Sequence, residues 1–219
     1  MAMKKVVIFD LDGTLTNSLA SMKLSGDMAM AKFGMGPYTE DQYKVFVGDG
    51  ARVLVERCLI AGGDTELKNL DAAYEEYCKV FEKYCMYKVE PYDGIRELLS
   101  ALKEKGVKIA VLSNKPHERT KDVIKAVFGE GYFDVVQGQQ DDVPKKPSPI
   151  GVFKILEKLS LTPKDLLYIG DTGTDMQTGK AAGAFTVGAL WGFRTEKELK
   201  ENHADVLIKK PQQLLDYLA

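Results

Sequence analysis

The chain is poor in the residues on which several kinds of protein depend. Its three cysteines, Cys58, Cys78 and Cys85, are odd in number and show no CxxC spacing, and neither histidine, His117 or His203, lies near them. That arrangement supports neither a disulfide framework nor a zinc site, so the cysteines read as plain thiols in a reducing compartment. The two histidines stand apart and read as surface residues. No apolar run approaches the length of a membrane span. The run after Lys4 and Lys5 stops after four residues at a pair of aspartates, which excludes a signal peptide or anchor there. The expected location is therefore the cytoplasm. A formal charge of −2 provides no broad field to attract nucleic acid or an anionic membrane, so neither is an expected partner, and any anion site must be local. Internal repeats and low-complexity linkers are missing as well.

What remains is an ordinary globular composition, 45% hydrophobic and 28% charged over 219 residues. That is enough for a moderate domain carrying a smaller one. The stretch Val6-Val7-Ile8-Phe9 reads as a short strand buried on both faces, and Asp10-Leu11-Asp12-Gly13-Thr14 follows it at once. Side chains at i and i+2 of an extended chain share a side, so Asp10 and Asp12 face one small volume at the carboxyl end of the strand. Two like charges so close are costly unless a cation lies between them or one carboxyl holds a proton. Gly13 permits a sharp exit, and Thr14 brings a hydroxyl to the same spot.

Residues 17–86 change pattern to short helices punctuated by Gly34-Met35-Gly36-Pro37, Gly48-Asp49-Gly50 and Gly62-Gly63-Asp64. Ala72 to Tyr84 is amphipathic, with Tyr77, Val80, Phe81 and Tyr84 on one stripe. From Pro91 onward strands and helices alternate. Asp93 can cap a helix over Ile95 to Leu102, Val107 to Leu112 is a buried strand ending in Ser113-Asn114-Lys115, and Pro116 suits the first turn of the next helix. Further strands are expected at Phe133–Val136, Leu166–Ile169, Ala184–Gly188 and Ala204–Ile208, with a terminal helix after Pro211. The expected fold is α/β, a doubly wound and mostly parallel sheet formed by 1–16 and 87–219, with 17–86 inserted as a small α-helical domain.

Four polar clusters then fall at strand ends or in neighbouring loops: Asp10 with Asp12, Ser113 with Asn114, Lys146, and Asp171 with Asp175. These residue types suit phosphoryl transfer through an aspartyl phosphate. A carboxylate attacks phosphorus only when repulsion between two anions is suppressed, which a hard divalent ion with oxygen ligands does, so Mg2+ is the expected cofactor. Each cluster also has a duller reading. Ser113-Asn114 can cap a helix, Lys145 and Lys146 can be merely solvated, and Asp175 can cap the helix from Met176.

The order DLDGT, a strand ending in Ser-Asn, Lys-Pro and GDTGTD resembles the haloacid dehalogenase superfamily of phosphohydrolases over nearly the whole chain. The inserted helices resemble that superfamily's cap, and the implied core is Rossmann-like. The resemblance implies that Asp10 is nucleophile and metal ligand, that the Asp12 carbonyl and Asp171 complete the ligand set, and that Asp175 ligates directly or through water. It also implies that the Asp12 side chain is the acid and base. Ser113, the Asn114 amide and Lys146 would hold the phosphoryl group, with Thr14 on the substrate side. The cap segment Val47 to Arg57 resembles that of phosphoglycolate phosphatases, so Gly48, Gly50 and Arg52 are expected to read a small anionic substrate. Arg52 on a solvated helix face is the plainer alternative. The loop Gly188-Ala189-Leu190-Trp191-Gly192 carries a similar resemblance, is equally well read as a packed tryptophan in a turn, and is given no chemistry. The expected activity is hydrolysis of a small phosphorylated metabolite, phosphoglycolate first, by a monomer or homodimer. A phosphomutase of the β-phosphoglucomutase kind, a pyrophosphatase and a nucleotidase stay open within the superfamily, and a phosphoacceptor signalling receiver stays open outside it.

Overall fold

The computed structural model describes residues 3–219; Met1 and Ala2, the first positions of the expected core segment 1–16, lie outside the described residues. The backbone gathers into two compact units, one of the chain up to Asn17 and from Pro91 onward, the other of Ser18–Glu90. The sequence reading places these divisions after residues 16 and 86.

The Ser18–Glu90 unit is mainly helical, with α1 (Leu19–Ala31), α2 (Glu40–Phe46), α3 (Ala51–Ala61) and α4 (Leu70–Tyr84). Helix α2 starts where Thr39 and Gln42 cap each other: the Thr39 hydroxyl accepts the Gln42 N–H at 3.2 Å, and Gln42 Oε1 accepts the Thr39 N–H at 2.9 Å. Helix α4 buries Ala73, Tyr77 and Phe81, one residue per turn, with the two rings stacked 5.4 Å apart. Val80 and Tyr84, expected on the same stripe, are only half buried. Truncating either buried ring to alanine would cost about 3–5 kcal/mol.

The other unit is built on six strands: β1 (Val6–Phe9), β2 (Lys108–Pro116), β3 (Val135–Gln139), β4 (Leu166–Gly170), β5 (Phe185–Ala189) and β6 (Val206–Ile208). Their order across the sheet is β3-β2-β1-β4-β5-β6 and every neighbouring pair is parallel. The helices are α5 (Ile95–Glu104), α6 (His117–Phe128), α7 (Ile150–Leu159), α8 (Gly173–Ala181) and α9 (Glu196–Glu201). Val6 and Ile8 pack with Val152, Ile155 and Leu156 of α7 on one face of the sheet. By strand alternation Val7 and Phe9 serve the other face, and all four are fully buried, as a central strand covered on both sides requires.

Two local expectations are corrected. Asp93 does not cap α5: Gly94 stands at the N-cap with φ +83°, a left-handed angle that glycine takes without strain, and no side chain caps the turn. Pro116 ends β2 and sits at the N-cap of α6 instead of inside its first turn. The segment after Pro211 winds as a 3-10 helix to Tyr217. The parallel order brings all strand carboxyl ends to one edge, and winding reverses between β1 and β4, where open α/β sheets bind ligands.

Candidate active site

Register sets the level of the site. Phe9 pairs with both Val111 and Ile169, and the Asp10 N–H donates to the Ile169 carbonyl at 2.9 Å, so Asp10 leaves the sheet level with the end of β4 and just before Ser113 of β2. The chain then turns tightly: the Leu11 carbonyl accepts the N–H groups of Leu15 and Thr16 at 3.0 and 2.9 Å, while the Gly13 N–H donates to the Thr16 carbonyl at 2.8 Å. Gly13 has φ +92° and a Cβ there would overlap the Asp171 carboxylate, so the turn needs glycine for conformation and for space.

Ser113, Asn114 and Lys115 lie within β2, past the point where its register with β3 shifts. The Ser113 hydroxyl accepts the Lys115 N–H at 3.2 Å. Asn114 turns its side-chain amide to the backbone of Lys146. The helix-capping alternative for this pair does not hold, because α6 begins beyond Pro116.

Lys146 is almost wholly buried, and its ammonium lies 2.7 Å from Asp10 Oδ1 and 2.7 Å from Asp175 Oδ1. Its neighbour Lys145 is the exposed one. Burial alone would lower the Lys146 pKa, but Asp10 and Asp175 outweigh it and hold the ammonium well above the usual lysine range. Asp175 is the third residue of α8 and closes a capping box with Thr172, not the N-cap itself. Its Oδ2 accepts the Thr172 hydroxyl at 2.6 Å and N–H at 3.1 Å, and its Oδ1 accepts the Tyr168 hydroxyl at 3.3 Å as well as Lys146.

Asp171 is fully buried and held from two sides: Thr14 Oγ1 donates to Oδ1 at 3.0 Å, and the Phe193 N–H donates to Oδ2 at 2.7 Å. Trp191 Nε1 donates to the Thr14 carbonyl at 3.0 Å, so the loop after β5 closes on both Thr14 and Asp171. A Cβ on Gly192 would also overlap the Asp171 side chain. Burial and then Asp175 raise the Asp171 pKa to about 7, against the pull of the Phe193 N–H and Thr14. Burial and then Asp175 also push Asp10 well above the carboxylate range, with Lys146 opposing.

One oxygen from each of Asp10, Asp171 and Asp175 lies within 4.8 Å of the others. Among the described residues these three buried carboxylates meet one ammonium, that of Lys146, which leaves an excess of negative charge. The donors are all oxygen, which suits a hard divalent cation and not a thiolate- or imidazole-seeking metal. Burial first, and then the neighbouring carboxylates, raise Asp10 and Asp171, and a bound cation would oppose both effects.

The structure thus brings together Asp10, Lys146, Asp171 and Asp175, with Thr14 on Asp171 and Asn114 on Lys146. Asp12 meets Lys115. Sequence reasoning missed Lys115, Tyr168, Trp191 and Phe193 as members. Tyr168 left a signal, a hydroxyl in the middle of an otherwise apolar strand, Lys115 stood at a strand end where sites collect, and the Trp191 loop was singled out by resemblance but given no chemistry. Gly48, Gly50 and Arg52 belong to the helical unit. There the exposed Arg52 pairs with Asp71 at 2.6 Å and lies over the Tyr74 ring. The loop with both glycines at positive φ is tied by Arg57, which bonds Asp49 at 2.6 Å and the carbonyls of Val45 and Phe46 at 3.1 Å. Among the described residues no helix is long and apolar enough to cross a membrane.

A parallel doubly wound sheet carries an acidic, lysine-bridged pocket at its strand ends, a setting that fits the catalytic site of a hydrolase. The chain belongs to the haloacid dehalogenase-like hydrolases, whose family model matches residues 7–189. It is 36% identical over 215 residues to a phosphoglycolate phosphatase of Aquifex aeolicus, covering 96% of this chain and 95% of that protein. It is 32% identical over 221 residues to a phosphoglycolate phosphatase of Haemophilus influenzae strain Rd, covering 98% of each. Among solved structures, a predicted phosphoglycolate phosphatase from Haemophilus somnus superposes with a TM-score of 0.90 at 26% identity, over 99% of this chain and 98% of that one.

Proposed function

We propose that this hydrolase is a magnesium-dependent phosphatase acting on phosphoglycolate through a phosphoryl group carried on Asp10. The observation that carries this reading is the contact of Lys146 with both Asp10 and Asp175, each at 2.7 Å, in a pocket shared with Asp171. Magnesium would be held by Asp10, Asp171 and the Asp12 carbonyl, and when bound it screens the attacking carboxylate from the phosphate it approaches.

The chain's own residues supply the remaining steps. An Asp10 oxygen forms a bond to phosphorus as the bond to the leaving oxygen breaks, and the Asp12 carboxyl gives that oxygen its proton. Asp12 then takes a proton from the water that attacks the phosphorylated Asp10, returning both carboxyls to their starting state. Ser113 and Lys146 hold the equatorial oxygens of the transferring group. The oxygens of Asp175 accept from Thr172, Tyr168 and Lys146, so its role is to fix the ammonium, and it would ligate the metal directly or through water. Thr14 orients Asp171. The helical unit acts as the cap, and its Gly48-Asp49-Gly50 loop with Arg52 takes part in selecting the substrate. The protein works in the cytoplasm as a monomer or homodimer.

The test is phosphate release from a panel of phosphate monoesters with Mg2+. Phosphoglycolate should give the highest kcat/KM, and chelation should abolish it. Isomerisation without phosphate release would point to a mutase, and a long-lived phosphoprotein without turnover would point to a receiver.

A further inference from the structure

Lys115 has no part in the chemistry above, and its position is unusual for a lysine. Its side chain is 3% exposed, and Nζ lies 2.9 and 3.2 Å from the two oxygens of Asp12. Lysine is seldom buried to that extent without a charged partner or a task. Its backbone is pinned on both sides, the N–H to the Ser113 hydroxyl at 3.2 Å and the carbonyl to the Thr120 hydroxyl at 3.1 Å, so the ammonium is aimed by a fixed strand end.

On the proposed reading, the leaving oxygen of the substrate must sit against Asp12 to receive its proton. In phosphoglycolate a single carbon joins that oxygen to a carboxylate. Two bonds of about 1.5 Å each then keep the carboxylate within one contact distance of whatever touches Asp12. Lys115 Nζ is such a group. An ammonium is a compact charge with three rotatable protons, so it can turn between Asp12 and an arriving carboxylate without moving its stem. The cap arginine first considered for this task, Arg52, instead lies exposed against Asp71.

We infer that Lys115 reads the substrate's carboxylate and selects phosphate monoesters bearing a carboxylate one carbon from the ester oxygen. This rests on the phosphatase reading and names the group that sets its specificity.

The experiment compares phosphoglycolate with ethyl phosphate, which has the same reach without the charge, in wild type, Lys115→Met and Lys115→Arg, all with Mg2+. The readout is the ratio of the two kcat/KM values, which does not depend on the fraction of folded enzyme. The ratio should fall roughly 30-fold or more in Lys115→Met, mainly through KM for phosphoglycolate, and Lys115→Arg should retain most of it. A ratio within about threefold of wild type would overturn the inference, because Lys115 would then serve Asp12 or the fold alone. Should Lys115→Met turn over neither ester, calorimetric binding of both in an Asp10→Asn background decides in the same way. Selective loss of phosphoglycolate binding supports the inference, and equal loss overturns it. A wild type that does not prefer phosphoglycolate would instead sink the substrate reading itself.

Discussion

The side-chain amide of Asn114 is matched end to end to the backbone of Lys146: Nδ2 donates to the Lys146 carbonyl at 3.2 Å and Oδ1 accepts the Lys146 N–H at 2.8 Å. Asn114 stands in the last part of strand β2 and Lys146 in a loop, so the strand fixes where the buried ammonium stands. Replacing Asn114 with alanine leaves both backbone groups unpaired and frees the lysine to drift. We expect Asn114→Ala to lower kcat about 10- to 100-fold with a smaller change in KM, measured by steady-state phosphate release. An unchanged kcat would show that Lys146 is held well enough by its two carboxylates.

The two aspartates of the first motif should fail differently. Asp10→Asn should leave activity below about one ten-thousandth of wild type, since an amide is no nucleophile. Asp12→Asn should still accept a phosphoryl group from an ester with a good leaving group and then hold it. Intact-mass spectrometry after mixing with p-nitrophenyl phosphate should find the adduct on that variant and not on Asp10→Asn.

Metal binding should depend on pH. Asp171 titrates at about 7 in the fold against 3.8 ordinarily, so the metal-free folded state binds more protons than the unfolded chain between those values. Its contribution to stability is therefore present at the acid end and lost as pH rises through about 7. The Tm of chelator-treated protein should fall across that window, and Mg2+ should restore it most strongly above the window. Calorimetry in buffers of different ionisation enthalpy should detect protons released on binding within that window, below about pH 7.

Two arginines of the helical unit offer a contrast in stability. Arg52 and Asp71 are both exposed, so Arg52→Ala should leave stability nearly unchanged. Arg57 makes an ion pair and two bonds to carbonyls that hold the Gly48–Gly50 loop, so Arg57→Ala should cost about 1–3 kcal/mol. Urea denaturation of both variants checks the order.

Much of this was legible in the sequence because it is local. Four apolar residues followed by two acids fix β1 and its exit, and alternation of strands with helices fixes the doubly wound sheet. The acids, the hydroxyl and the lysine announced themselves by residue type at strand ends. What stayed hidden depends on distant pairings. Nothing near Trp191 or Phe193 says that this loop returns to Thr14 and Asp171. Nothing near Lys115 says that it turns to Asp12, about a hundred residues earlier. The helix start at Gly94 was misread because aspartate is the commoner cap, whereas the backbone there takes the left-handed turn that its glycine allows.

Gly13 and Gly192, from opposite ends of the core's sequence, close on the same acid so tightly that neither can carry a side chain. A carboxylate walled in like this has no way to step back. Calcium prefers longer bonds and more ligands than magnesium and settles where donors can spread apart. If Asp171 holds the metal as proposed, the missing side chains beside it would gauge ionic size, and Ca2+ should bind without supporting turnover.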